Sequence, residues 1–347
     1  MQFQGEGKPP VGIIFDCDMG NSIDDALALA LLYGFEGKNE VRVVSVSVSK
    51  SNLNAAAFCE VVARFYAGAV SGAYGASGRT LPVGLSTEGK MPEDTPMLTG
   101  PLSRQNDQGA PVYAHGIHKL NQTAEAIALI RNAFTAQHDQ NSIVILVGPA
   151  TNLAKVLSLP GAKDLISRKV RFLSVMGGAY PEGSAEFNIK TDIAAAKTLF
   201  AEWPTPIVAS GFEVGESLLF PASSIEKDFA WSPAHPVVDA YRAYKPMPYD
   251  AQTWDMTSVL YAVRPQEGYF KLSEPGTINV LDDGRTKFTS SPAGKHRYLI
   301  LDPAQKERII KTFTEIASAK PVPRQPRSRP PQQQQVPAPK PPEAKPR

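Results

Sequence analysis

Residues 13–32 read IIFDCDMGNSIDDALALALL: an apolar run of strand length, Asp16 and Asp18, a Gly-Asn-Ser turn, then Asp24-Asp25 at the head of an Ala/Leu-rich helical pattern. In a parallel sheet covered by helices, ligands collect beyond the carboxyl ends of the strands, which is where these acids fall. Four carboxylates at one strand end repel one another strongly unless a cation holds them together. An all-oxygen donor set suits a hard ion such as Ca²⁺ or Mg²⁺. Helix capping explains Asp24 and Asp25, which favour the positive end of the helix, but leaves Asp16 and Asp18 without a role.

Outward from this stretch the chain alternates strands with helices. VGIIFDC (11–17), VRVVSVSV (41–48), SIVILV (142–147) and VRFLSVM (170–176) are β-branched runs of strand length. Helical patterns are expected at about 23–36, 54–69, 121–137, 192–202, 236–245, 254–263 and 303–318. Continuous apolar strands separated by helices predict an α/β fold with a mostly parallel, Rossmann-like central sheet and helices on both faces. A hairpin is expected within 276–301, turning at Asp282-Asp283-Gly284. Residues 71–120, rich in Gly, Ser, Pro and Asn, read as a long irregular excursion. The expected organisation is an N-terminal extension (1–10), one catalytic domain (11–318) and a disordered Pro/Gln/Arg-rich tail (319–347).

Composition narrows the function classes. The formal net charge of +2 hides a tail that carries six Lys/Arg and one Glu from Pro321 onward, so the body is near −3. A slightly acidic body does not suggest nucleic acid as a partner. No run approaches 18 apolar residues, which excludes a membrane-spanning helix. Cys17 and Cys59 cannot make a disulfide framework and read as small buried hydrophobes. The opening MQFQGEGKPP shows no basic segment leading into an apolar one. A cytoplasmic location and export with a removed signal are both compatible with it.

The acidic stretch resembles the opening motif of the inosine-uridine preferring nucleoside hydrolases, D-x-D-x-G-x-D-D before an Ala/Leu-rich helix, here in a variant with a longer turn. Ser22 stands where that variant usually has Asp. ILVGPATNLA (145–154), VMGGAYPEGSAEFNIKTDIAAA (175–196) and TWDMTSVLYAV (253–263) are similar to further family stretches in the same order, so the likeness spans about residues 11–318. The resemblance implies the nucleoside hydrolase fold and calcium-dependent cleavage of a ribonucleoside into ribose and free base. It implies Asp18 as metal ligand and as the general base activating a metal-bound water. Asp25, the Thr151 carbonyl and Asp255 would complete the protein's calcium ligands. Asp24, Met176, Glu186 and Asn188 would line the ribose, and Asp16 would support the loop from behind. Homodimers or homotetramers are common in the family.

The base half of the site departs from the pattern. Trp254 stands where many members have a His beside the last metal-binding Asp; an indole stacks on a base but does not protonate it. The family's Asn after the second strand has three candidate occupants, Lys50, Ser51 and Asn52. His115 and His118 in the long loop are candidates for a leaving-group acid, and Tyr241, Tyr244 and Tyr249 for base contacts. Two rival readings are a haloacid-dehalogenase-like phosphatase and a non-catalytic relative that binds calcium or a ribosyl ligand. Against the first, Met19-Gly20-Asn21 follows the second Asp where that family usually has Gly-Thr. Against the second, Asp18 is retained.

Overall fold

A computed structural model describes residues 9–68 and 81–321. The chain opens with β1 (Val11–Cys17), α1 (Ile23–Gly37), β2 (Val41–Lys50) and α2 (Leu53–Gly68). Next come β3 (Val83–Lys90), α3 (Pro96–Ser103), a short β4 (Ala124–Glu125) and α4 (Ala126–Ala136). The middle holds β5 (Ser142–Val147), α5 (Thr151–Leu157), α6 (Ala162–Lys169), β6 (Val170–Met176), α7 (Phe187–Thr191) and α8 (Ile193–Glu202). Then follow β7 (Ile207–Ser210), α9 (Phe212–Glu216), β8 (Leu219–Phe220), α10 (Ala222–Lys227), α11 (Pro236–Tyr244), β9 (Ala251–Gln252) and α12 (Trp254–Val263). The last elements are β10 (Lys271–Leu272), β11 (Gly276–Val280), β12 (Thr286–Ser290), β13 (His296–Ile300) and α13 (Lys306–Ala317).

One large sheet runs in the order β12-β11-β13-β7-β6-β5-β1-β2-β3-β4. Every pairing from β13 through β7 to β4 is parallel, and the β11–β12 hairpin adds an antiparallel edge. The hairpin turns where expected: Gly284 has φ +82° and donates its N–H to Leu281. Alternate residues of the central strands feed two cores. Ile13, Phe15 and Cys17 pack with α1, α2, α11, α12 and α13 on one face. Ile14, Val144 and Leu146 pack with α4, α5 and α8 on the other. Helix α1 carries no charge from Ala26 to Phe35 and is buried all round, as expected of a helix without a polar face. It lies so close to α13 that a Cβ on Gly34 would stand 2.1 Å from the Ile316 carbonyl oxygen.

Of the excursion expected over 71–120, residues 71–80 lie outside the described residues, and 81–120 are more ordered than their composition suggests. Val83–Ser86 form a buried strand against β2, and α3 packs close to the turn after β1. With two strong apolar residues among Gly, Ser and Thr, that strand has a faint period-2 signal. The helix expected from 121 starts at Ala126, because the Glu125 carboxylate accepts from Ile127 and Ala128 N–H and fixes the cap there. The extension up to Lys8 and the tail from 322 lie outside the described residues.

Candidate active site

Strand order reverses at β1. The chain builds outward through β2, β3 and β4, then returns to β5 on the other side and builds through β6 and β7. The crevice at such a switch point, outside the carboxyl ends of the strands, is the usual ligand site of a doubly wound sheet. Asp18 follows β1, Lys50 ends β2, Thr151 follows β5 and Met176 ends β6. Gly148, after β5, permits the approach: a Cβ there would lie 2.7 Å from Asp18 N.

The turn after β1 is anchored from two sides. Gly20 has φ +102°, and its carbonyl accepts from Thr95 Oγ1 at 2.8 Å. Ser22 N–H donates to Asp25 Oδ2 at 3.2 Å. Asp24 joins two helix ends, its Oδ2 accepting from Asp255 N at 2.9 Å. The positive N-termini of α1 and α12 therefore meet at the acids. Behind them, Asp16 Oδ1 accepts from Ser47 Oγ at 2.6 Å and Asn152 Nδ2 at 2.8 Å. Thr151 Oγ1 donates to Asp192 Oδ2 at 2.7 Å, which fixes the first turn of α5. Ser47 gives no signal in sequence, but Asn152 and Asp192 sit inside motifs already singled out.

Burial sets the electrostatics. Asp16, Asp18, Asp24, Asp25 and Asp255 are all 5% exposed or less. Burial pushes Asp16 up to about 7. Burial, then the charge of Asp24, pushes Asp18 up to about 7. Asp25 and Asp255 are driven well above the usual carboxylate range by burial, and then by their acidic neighbours. The charges of Asp24, Asp25, Asp18 and Glu186 all act on Asp255, which places those five predicted residues in one electrostatic unit.

Among the described residues, no three His, Cys, Asp or Glu side chains form a ready-made metal cage. Two of the expected carboxylate ligands nevertheless each keep a buried oxygen with no hydrogen-bond partner, Asp18 Oδ2 and Asp25 Oδ1. Buried carboxylate oxygens beside like charges call for a cation, and hard oxygen donors fit calcium.

Among the residues expected to line the ribose, Glu186 caps α7: Oε1 accepts from Asn188 N at 2.9 Å, and Oε2 from Gly178 N and Ile189 N at 3.1 Å each. Asn188 Nδ2 lies 3.3 Å from both the carbonyl oxygen and the sulfur of Met176. These three residues form one interlocked unit, and Glu186 is held in place by the backbone N–H groups it accepts from.

Trp254 stacks on Phe212, with centroids 5.7 Å apart and planes at 26°, and its indole N–H donates to the Phe212 carbonyl. Phe212 and Phe187 are exposed, an aromatic feature that sequence reading did not pick out. Tyr244 faces Ser22 and lies within reach of the charges of Asp24 and Asp25. Tyr241 and Tyr249 instead stack on each other at 4.3 Å and exchange hydrogen bonds with each other's carbonyls. Asn52 accepts from Ala55 N and donates to Asp94, so it serves the start of α2. His115 and His118 contact each other, with His115 against the Ile117 carbonyl, in a loop held by Glu60; none of these partners belongs to the acidic unit.

A family model described as inosine-uridine preferring nucleoside hydrolase matches residues 13–314. No curated protein sequence matches the chain. Among solved structures, a plant nucleoside hydrolase superposes with a TM-score of 0.62 at 18% identity, covering 90% of this chain and 100% of its own. The inosine-uridine preferring nucleoside hydrolase of Bacillus anthracis gives 0.64 at 18%, over 89% and 99%. The purine-preferring ribonucleoside hydrolase of Gardnerella vaginalis gives 0.60 at 17%, over 88% and 99%. At these identities the structural likeness shows the shared fold.

Proposed function

Since the chain belongs to the inosine-uridine preferring nucleoside hydrolase family, a family of N-glycosyl hydrolases, we propose that it hydrolyses the N-glycosidic bond of ribonucleosides with calcium as cofactor. The observation that carries this reading is the gathering of Asp18, Asp24, Asp25, Asp255 and Glu186 into one buried unit at the switch point of the sheet. A phosphatase of the haloacid dehalogenase type has no support from a family match spanning residues 13–314.

Asp18, Asp25, Asp255 and the Thr151 carbonyl would hold the calcium. When bound, it supplies a hard positive charge that binds a vicinal diol and eases ionisation of water. Asp18 takes the proton of the water that attacks the anomeric carbon. Without a metal, burial and then the charge of Asp24 raise its proton affinity; a calcium ion beside it would hold it as the carboxylate that a base must be. As the base departs, positive charge develops on the sugar, and the negative charges of Asp24 and Glu186 favour that state. Asn188 and Met176 set the width of the sugar pocket. Trp254 and Phe212 offer a stacking face to the base but no acid, so this chain favours bases that leave without protonation by residue 254.

The test is release of free ribose from a panel of purine and pyrimidine nucleosides, with calcium and after chelation. Calcium-dependent release is expected. Folded, calcium-loaded protein that releases ribose from no nucleoside would overturn the reading in favour of a non-catalytic binder.

A further inference from the structure

Lys50 is the last residue of β2, and 2% exposed. Lysine is rarely buried to this extent without a charge partner. Val46 and Val48 of the same strand pack into the core that holds α1, and Lys50 continues that alternation. It thus falls on the sheet face covered by α1, whose first turn carries Asp24 and Asp25. The β2–β3 register slips between Val48 and Lys50 through extra residues on β3, so β2 keeps its own alternation as far as Lys50. Among the leading electrostatic influences on the five buried aspartates, Lys50 is the one positive charge, and it acts on Asp18. Among the described residues it forms no direct ion pair. Its charge is therefore offered to the cluster at a distance and is not consumed by one carboxylate. Asn52, the other polar candidate at this strand end, is committed to α2.

We propose that Lys50 is a resident cation of the acidic site: it offsets part of the aspartates' repulsion when no metal is bound and weakens calcium binding by like-charge repulsion when one is. The inference rests on the calcium reading of the site. It deepens that reading by assigning to Lys50 the setting of metal affinity. Two positive charges acting on the same buried carboxylate repel by enough to change affinity about tenfold or more.

The test uses Lys50→Gln, which keeps a polar, flexible side chain but removes the charge, and Lys50→Arg, which keeps the charge. Calorimetric titration with calcium should show binding about tenfold tighter in Lys50→Gln than in the wild type, and within about threefold of the wild type in Lys50→Arg. On metal-free protein at pH 8, Lys50→Gln should lower the thermal midpoint, and most of that loss should vanish in an Asp18→Asn background. Unchanged or weaker calcium affinity in Lys50→Gln overturns the proposal, and so does a loss of stability that is additive with Asp18→Asn. A wild-type protein that binds no calcium would sink the calcium reading, while the metal-free cycle would still decide whether Lys50 compensates Asp18.

Discussion

At the scale of single residues, the acids set function against stability. Replacing Asp18 by Asn removes the proposed base and one of the repelling charges together. Ribose release should fall by about a hundredfold to ten-thousandfold, while the metal-free protein melts at a higher temperature. Activity assays and calorimetry on the same preparation check both arms, and full activity in the variant would defeat the mechanism. His235 gives a pH signature far from the site. It sits among Phe65, Phe229 and Trp231, and burial pushes it down to about 3. Between about 6.5 and 3 the unfolded chain binds a proton there that the folded chain refuses. Its contribution is therefore complete above pH 6.5 and is lost as the pH falls, by up to about 1.4 kcal/mol per pH unit. His235→Asn keeps an acceptor for Val237 N–H, and urea unfolding between pH 7 and 4.5 should show a shallower decline. The acids were legible at this scale because no other feature explains Asp16 and Asp18 together. Lys50 was read only as one of three possible occupants, since a lone lysine in sequence reads as solvated.

Elements carry the geometry. The turn after β1 works because Gly20 adopts a left-handed conformation against Leu98 of α3, where a Cβ would come within 2.4 Å of the leucine side chain. Gly20→Ala should destabilise the fold by about 1–3 kcal/mol and weaken calcium binding through the displaced acids. Denaturant unfolding and calcium titration measure the two effects, and a variant of wild-type stability would contradict the account of this turn. The long strands and α1 were legible because their apolar runs are continuous. β3 and β7 were missed for opposite reasons. β3 dilutes its few apolar residues with Gly, Ser and Thr, and β7 is four residues long, too short to show a period. The true start of α4 turns on the Glu125 carboxylate, which competes with the expected helix from 121.

For the whole molecule, the family match and the described sheet cover the body and stop short of the basic tail. Removing residues 322–347 should leave ribose release within about twofold of the full chain, because no proposed site residue lies beyond Asp255. The proposed calcium would bind the folded state and not the unfolded one, so at a hundredfold excess over its dissociation constant it should add about 2.7 kcal/mol of stability. A thermal midpoint indifferent to calcium would count against the site. The parallel order and two-faced burial could be read from sequence, but the switch point could not, since strand order depends on which crossover follows β4. The bond from Asp255 N–H to Asp24 spans 231 positions. A ribosome must therefore release almost the entire body before the first acids meet their second helix. Until then the nascent chain holds its first acids without that partner, so the proposed capture of an ion would arise late in synthesis and abruptly.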